Sequence, residues 1–127
     1  MSLEIIHTDT APKAVGPYSQ AIKVGNWLFC SGQIGIDPNT GELVSSDFVE
    51  QANQVLKNLQ AVIEAARTDL TKIVRVEVFL TDLGYFATFN EIYARWLGNH
   101  KPARQTIGVA SLPKNALIEV SLIAWIE

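Results

Sequence analysis

Apolar residues recur at three- and four-residue spacing in two stretches of the chain, and this period predicts two amphipathic helices. The first is predicted over Asp47–Ala66, with Asp47 and Glu50 as a capping box at its start. Arg67 stands where a glycine commonly follows the end of a helix. The second is predicted from about Tyr85 to Leu97. The residues of the first helix that are expected to face the core are Val49, Ala52, Val55, Leu56, Leu59, Val62, Ile63 and Ala66. The second is expected to contribute Phe86, Phe89, Tyr93, Trp96 and Leu97.

Strands are predicted where apolar and polar residues alternate and where β-branched residues cluster. Gln20–Val24 and Trp27–Ser31 enclose a two-residue Gly-Asn turn, which is typical of a β-hairpin. Three further strands are predicted over Ile73–Leu80, Gln105–Ala110 and Leu117–Ile126. One face of the strand Ile73–Leu80 is expected to be apolar and to carry Val74, Val76, Val78 and Leu80.

The last predicted strand has apolar residues on both of its faces. One face carries Ile118, Val120, Leu122, Ala124 and Ile126. The other carries Glu119, Ser121, Ile123 and Trp125, and Trp27 and Phe29 join it if the strand register agrees. Since two helices cover one face of a sheet only, we expect another copy of the chain to cover the second face. The alternative is a few singly exposed apolar residues, which are common on protein surfaces.

Length and composition suit one globular α+β domain over residues 1–127. The chain has 127 residues, 48% of them apolar and 18% charged, with a net charge of −3. An acidic chain without a basic face makes nucleic-acid binding unlikely. The single cysteine, Cys30, excludes an internal disulfide and is expected to be a core residue. No long apolar run or signal peptide is present, so the cytosol is the default location.

Two side chains are the main candidates for chemistry. Pro102 keeps the chain extended at the entrance to a strand, so Arg104 is expected near a sheet edge, where its guanidinium can grip a carboxylate in two parallel hydrogen bonds. The alternative for Arg104 is a surface salt bridge. Glu119 would become a proton acceptor or donor if a second subunit partly buried it, and otherwise it is an exposed charge. His7, His100 and Cys30 show no metal-ligand spacing.

From Ala11 to Ile126 the chain resembles the RidA family, the reactive enamine/imine deaminases formerly called YjgF-type proteins. The segments that carry the resemblance are Gly16-Pro17-Tyr18-Ser19-Gln20-Ala21, Ser31-Gly32-Gln33-Ile34, Thr40-Gly41, Val78-Phe79-Leu80, Asp82-Leu83, Phe89-Asn90, Pro102-Ala103-Arg104, Leu112-Pro113 and Ile118-Glu119-Val120. The resemblance implies a chorismate-mutase-like α+β fold, in which a mixed sheet packs on two helices. It also implies a homotrimer with an active-site cleft between each pair of subunits.

The function that this resemblance implies is that of a 2-iminobutanoate/2-iminopropanoate deaminase. Such an enzyme hydrolyses 2-aminoacrylate, 2-aminocrotonate and related imines to 2-keto acids and ammonia, without metal or cofactor. Carried over by position, Arg104 binds the substrate carboxylate and Glu119 positions or activates water. The other residues implied in the cleft are Tyr18, Ser31, Gly32, Asn90 and Thr106.

Two other functions stay open at this point. One is a non-enzymatic trimer that binds or senses a small 2-keto acid through Arg104. The other is a translation-inhibiting ribonuclease, against which the acidic charge argues. The chain departs from the family's pattern at Gln105, at Thr106 and in the short segment Gly98–Lys101, all of which bear on specificity.

Overall fold

The computed structural model describes residues 2–127, which form one six-stranded sheet and two α-helices. In chain order the strands are β1 (Leu3–Ile6), β2 (Ala21–Val24), β3 (Trp27–Gln33), β4 (Ile73–Leu80), β5 (Ala103–Gly108) and β6 (Ile118–Trp125). The helices are α1 (Phe48–Ala65) and α2 (Phe86–Leu97). The strand order is β1-β2-β3-β6-β4-β5, and every neighbouring pair is antiparallel except the parallel pair β4–β5. The predicted α+β class, with a mixed sheet and two helices, is therefore confirmed.

Helix α1 begins after the predicted cap Asp47 and ends one residue before the predicted Ala66, but only one of the two hydrogen bonds of the predicted capping box forms. The Asp47 carboxylate accepts a hydrogen bond from the Glu50 backbone N–H at 3.0 Å, while the Asp47 N–H donates to the Ser45 hydroxyl at 3.0 Å. Arg67, just beyond the helix, takes a positive φ of 65°. The expected burial of Val49 is wrong: Val49 is exposed, and Phe48 is buried in its place. The Phe48 ring stacks on that of Tyr85, which turns Phe48 toward the core.

The predicted hairpin is confirmed, because Val24 pairs with Trp27 across the two-residue turn and Gly25 has a φ of 57°. The predicted apolar face of β4 is wrong at one residue. A register shift makes Ile73 pair with Ala124 and Arg75 with Ile123, so Val74 is an extra residue and is exposed. The edge strand β1 was not predicted, since its four residues have no turn signal that links them to β2 as the Gly-Asn turn links β2 to β3.

Both helices cover the same face of the sheet, and the core lies between them. The β6 residues that were predicted to be apolar on one side are all buried there: Ile118, Val120, Leu122, Ala124 and Ile126. On the opposite face, Trp27 pairs with Trp125, and Phe29 pairs with Ile123. Trp27, Phe29 and Trp125 keep 41%, 44% and 37% of their surface exposed. The register therefore joins these residues into one apolar surface, as predicted.

Candidate functional site

Arg104 lies inside the edge strand β5, on the face that the helices cover. It pairs with the buried Val76 of β4, and directly paired residues of neighbouring strands share a face. Its guanidinium carbon lies 5.5 Å from the centre of the Phe86 ring and 5.0 Å from that of Tyr93. One terminal nitrogen, Nη1, donates a hydrogen bond to Oδ1 of Asn90 at 2.8 Å. Three side chains of α2 therefore fix the plane of the guanidinium.

Most of the hydrogen-bonding capacity of Arg104 remains for a ligand. A guanidinium has five N–H donors, and Asn90 accepts from one of them. Among residues 2–127 no carboxylate lies within ion-pair distance of Arg104, so the alternative of a surface salt bridge is wrong. The side chain is half-buried, which strengthens its attraction for an anion.

Two hydroxyl groups near Arg104 are buried without a hydrogen-bond partner in the described chain. They belong to Tyr93, whose ring faces the guanidinium, and to Thr106, two residues along β5 on the same face. Burial raises the pKa of the Tyr93 hydroxyl, and the Arg104 charge opposes that rise. Two buried hydroxyl groups near Arg104 therefore have no hydrogen-bond partner among residues 2–127.

Glu119 lies on the opposite face of the sheet. It pairs with Phe79 of β4, whereas its neighbours Ile118 and Val120 point into the core. The carboxyl group is half-buried, and this burial raises its pKa above the ordinary value of 4.5. A fully exposed strand-end charge, the alternative interpretation, does not describe this residue.

The Glu119 carboxylate borders a pocket of about 390 Å³. The residues that line it with Glu119 come from the N-terminal loop, β3 and the 113–115 turn: Pro12, Lys13, Val15, Tyr18, Gly32, Gln33, Ile34, Ile36, Pro113 and Lys114. A Cβ atom on Gly32 would lie 2.5 Å from Oε2 of Glu119 and 3.2 Å from its Cγ. A glycine is therefore needed at position 32 for this carboxylate to hold its place.

Tyr18 lines the same pocket, whereas Ser31 precedes the pocket residue Gly32 and its hydroxyl forms a hydrogen bond within the chain. It donates to the Ser19 carbonyl at 2.6 Å, and the Ser31 N–H donates to the Gln20 carbonyl at 3.0 Å. The buried Gln20 side chain accepts from the Thr8 N–H and donates to the Pro12 carbonyl. Ser31 and Gln20 thus hold the loop that presents Tyr18, which is half exposed at the pocket.

The predicted site residues form two groups rather than one cluster within a single chain. Arg104, Asn90 and Thr106 lie on the helix-covered side of β5, and Tyr18, Ser31, Gly32 and Glu119 lie around β3 and β6. The sheet separates the Arg104 group from the Glu119 carboxylate, because the two residues point to opposite faces. Their convergence in one crevice where chains meet stays a prediction.

Sequence reasoning assigned Phe86 and Tyr93 to the core stripe of α2. The assignment is confirmed for Tyr93, which is buried, and wrong for Phe86, which keeps 40% of its surface exposed. The contact of both rings with Arg104 was missed. The sequence contained a signal for this contact, since Phe86, Asn90 and Tyr93 are spaced by four and three residues and share one helix face.

The assignment of Cys30 to the core is confirmed: the thiol is buried and its pKa is raised to about 12. Between residues 2 and 127, no three acidic, histidine or cysteine side chains gather as a metal site would require. Over that range, no helix is both long and apolar enough to cross a bilayer.

Comparison with known proteins gives one consistent set of relatives. Residues 8–126 match the family model described as Endoribonuclease L-PSP. The RutC family protein PH0854 of Pyrococcus horikoshii is 52% identical over 98% of both chains. The human 2-iminobutanoate/2-iminopropanoate deaminase is 45% identical over 94% of this chain and 88% of its own. The structure of E. coli TdcF with bound serine superposes with a TM-score of 0.93 at 40% identity, covering 98% of this chain and 99% of that one.

Proposed function

Because this chain belongs to the Endoribonuclease L-PSP family, which includes the RutC and reactive intermediate deaminase proteins, we propose that it hydrolyses 2-imino acids to 2-keto acids and ammonia. The observation that carries the proposal is the guanidinium of Arg104, which is half-buried, held by Asn90 and free of any ion pair among residues 2–127. The human relative, which is named for this activity, supports the reaction class.

Arg104 supplies recognition of the substrate carboxylate. Two parallel N–H donors of a guanidinium match the two oxygens of a carboxylate, and the Phe86 and Tyr93 rings hold that fork in one plane. The imine carbon is bonded directly to the carboxylate carbon, so binding the carboxylate fixes the reacting atom as well. Positioning of this kind can lower a barrier by several kcal/mol, about 7–11 kcal/mol at most.

Glu119 positions the attacking water molecule and accepts a proton from it. As a carboxylate it accepts a proton from water while the water oxygen adds to the carbon of the protonated imine, which gives a carbinolamine. The protonated Glu119 then returns this proton to the carbinolamine nitrogen, and ammonia leaves as the hydroxyl group loses its proton and the C–O double bond forms. An enamine such as 2-aminoacrylate first takes up a proton at carbon to become the imine. Because burial raises the pKa of Glu119, the group is a better base than an exposed glutamate. General acid–base help of this kind contributes about 10²–10⁴-fold.

The complete site requires a second copy of the chain. Arg104 and Glu119 face opposite sides of the sheet, so one small substrate cannot reach both within one subunit. The apolar surface of Trp27, Phe29, Ile123 and Trp125 gives another copy a face to cover. We therefore place the reaction at subunit interfaces of a homotrimer, where Arg104 of one subunit meets Glu119 of the next.

The test couples a serine or threonine dehydratase to this protein and follows keto-acid release. Wild-type protein should accelerate the release, and Arg104→Ala should abolish the acceleration. Arg95→Ala is the matched control, because Arg95 is exposed on α2 and is not one of the side chains that hold Arg104. Equal acceleration by Arg104→Ala and wild type would show that the carboxylate clamp is wrong.

A binding protein without catalysis is the second candidate, and one observation favours it. The Arg104 group is assembled within one subunit and does not include Glu119. If the protein only binds a 2-keto acid, Glu119→Gln should keep pyruvate affinity and wild-type protein should leave keto-acid release unchanged. A deaminase instead loses turnover in Glu119→Gln while it still binds pyruvate.

RNA cleavage enters through the description of the matching family as an endoribonuclease. Phosphate contacts dominate affinity for nucleic acid, and this chain has a net charge of −3. Titration of single-stranded RNA at low and moderate salt checks this function. Binding that weakens as salt rises would support it, and no binding at either salt concentration would dismiss it.

A further inference from the structure

A pocket of about 480 Å³ lies beside Arg104. The residues that line it are Asn90, Tyr93, Ala94, Leu97, Gly98, His100, Lys101, Pro102 and Arg104. Arg104 and Asn90 form the polar end. The C-terminal half of α2 and the segment that joins it to β5 form the rest. A three-carbon imino acid held at Arg104 would leave most of this volume to water.

The joining segment keeps the pocket open. Only Gly98–Pro102 lie between α2 and β5, and Gly98 turns with a φ of 64° as its N–H donates to the Ala94 carbonyl. A ring nitrogen of His100 bonds the Ile73 carbonyl at 2.7 Å, which ties the segment down to β4. This anchoring leaves the segment little freedom to fold over Arg104.

The walls of the pocket determine what kind of group fits beside the carboxylate. Tyr93 and Leu97 are buried, and with Ala94 and Pro102 they present mainly carbon atoms to the pocket. Lys101 is exposed at the rim, where water solvates its ammonium group. An apolar side chain that displaces water from these walls gains free energy, whereas a second carboxylate would find the solvated Lys101 and His100, whose Nε2 is already bonded to the Ile73 carbonyl.

We propose that this pocket holds the side chain of the substrate and that Ala94 and Leu97 limit its size. The preferred substrates are then 2-imino acids with apolar side chains of four or more carbons, such as those formed by oxidation of leucine or phenylalanine. This inference rests on the proposed function, because it assumes that Arg104 binds the carboxylate of an imino acid.

The test compares two substrates in each of three proteins: 2-aminoacrylate from a serine dehydratase and the leucine imine from an amino-acid oxidase. Ala94→Phe should lower kcat/KM for the leucine imine about tenfold or more and leave 2-aminoacrylate within about twofold. Ala87→Phe is the control, because Ala87 is also exposed on α2 but does not line the pocket. It should leave both substrates as in wild type. Equal loss on both substrates in Ala94→Phe, or no loss on either, would overturn the proposal.

A binding measurement separates failure of this inference from failure of the proposed function. Calorimetry with pyruvate and with 4-methyl-2-oxopentanoate reports on the pocket without any turnover. The longer keto acid should bind more tightly to wild type, and Ala94→Phe should remove that advantage. Absence of deamination with this pattern intact would refute the reaction and leave the pocket assignment standing. Tighter binding of 2-oxoglutarate that is lost in Lys101→Ala would overturn the apolar preference.

Discussion

Glu119 shows how the environment of one residue sets its chemistry. Gly32 brings the β3 backbone against the carboxylate, and the resulting burial raises the Glu119 pKa. The folded protein therefore binds a proton at this group more tightly than the unfolded chain does. It follows that the free energy of unfolding loses a contribution as pH rises from about 4.5 through the raised pKa.

Glu119→Gln removes this loss, because glutamine has no charge to bury. We expect the variant to be more stable than wild type at pH 7, with a gain that shrinks as pH falls and vanishes below the ordinary pKa of 4.5. Urea unfolding from pH 3 to pH 8 measures this difference. Glu91→Gln, at an exposed position on α2, serves as the control for loss of one negative charge. A gain that grows toward acid pH would contradict the assigned cause.

Tyr93 carries two roles that a pair of substitutions can separate. Its ring supports Arg104, whereas its hydroxyl is buried without a partner in the described chain. Tyr93→Phe should therefore raise the free energy of unfolding by about 1 kcal/mol and keep carboxylate binding. Tyr93→Leu should weaken binding of a 2-keto acid by removing the ring. Chemical denaturation and calorimetry measure these effects.

The control for Tyr93→Phe is Tyr85→Phe. The Tyr85 ring stacks on Phe48, and its hydroxyl is not among the buried groups without a partner. Its removal should change the unfolding free energy by less than about 0.5 kcal/mol. A marked loss of stability in Tyr93→Phe would mean that this hydroxyl has a hydrogen-bond partner outside the described chain, in water or in another subunit.

At this scale the sequence identified the charged residues more readily than their supports. Arg104 and Glu119 were recognised from their motifs and strand positions, and both are half-buried as a site requires. The contacts of Phe86 and Tyr93 with Arg104 were missed, since helical spacing places an aromatic ring on the inward face of a helix but does not show that a guanidinium lies over it. These contacts depend on where β5 lies relative to α2, which is a tertiary relation.

Among the elements, α1 offers a direct test of a strained end. Arg67 adopts a φ of 65°, a conformation that costs a residue with a Cβ about 1–2 kcal/mol. Arg67→Gly relieves this strain and loses some stability to the flexibility of glycine in the unfolded chain. We expect a net gain of roughly 0.5–1 kcal/mol in the free energy of unfolding, measured by thermal and urea denaturation.

Arg67→Ala is the control for this prediction. Alanine removes the charge of Arg67 but keeps the Cβ atom, so the strain at a φ of 65° remains. If Arg67→Ala stabilised the protein as much as Arg67→Gly, removal of charge rather than of strain would be the cause.

Element boundaries followed local sequence signals, and the differences arose where strands pair. The capping aspartate and the two-residue turn depend on neighbouring residues, so the sequence predicted them. The positive φ of Arg67 was not predicted, because the usual signal for it is a glycine at that position. The exposure of Val74 depends on β6, because the register shift there inserts one extra residue into β4. Alternation along β4 alone contains no sign of that shift.

For the whole molecule, the decisive fact is that the sheet separates Arg104 from Glu119. The sequence placed Glu119 on one face of its strand and Arg104 only near a sheet edge, and the register through β4 is what relates their two faces. An apolar surface on the uncovered face supports a multi-subunit site. If the site is shared between subunits, two different inactive variants should restore activity when they assemble in one oligomer.

Mixing two inactive variants tests this expectation. Arg104→Ala keeps the Glu119 group intact, and Glu119→Gln keeps the Arg104 group intact. If each site takes one group from each of two subunits, co-refolding equal amounts should restore about a quarter of the wild-type activity, because random assembly pairs the two intact groups at one interface in four. Each variant refolded alone should stay inactive. The assay is the coupled release of keto acid, with oligomer mass checked by light scattering.

Asn90→Ala makes the matched control, because Asn90 bonds Arg104 and both residues belong to the same group. In a mixture of Arg104→Ala with Asn90→Ala, every subunit has an intact Glu119 but only half of the subunits supply Arg104, and those lack Asn90. The mixture should therefore show half the activity of Asn90→Ala alone, with no gain from mixing. If the first mixture also shows no gain while mixed oligomers form, Arg104 and Glu119 act within one subunit. The opposite faces that they occupy would then have to be reconciled by a rearrangement of β5.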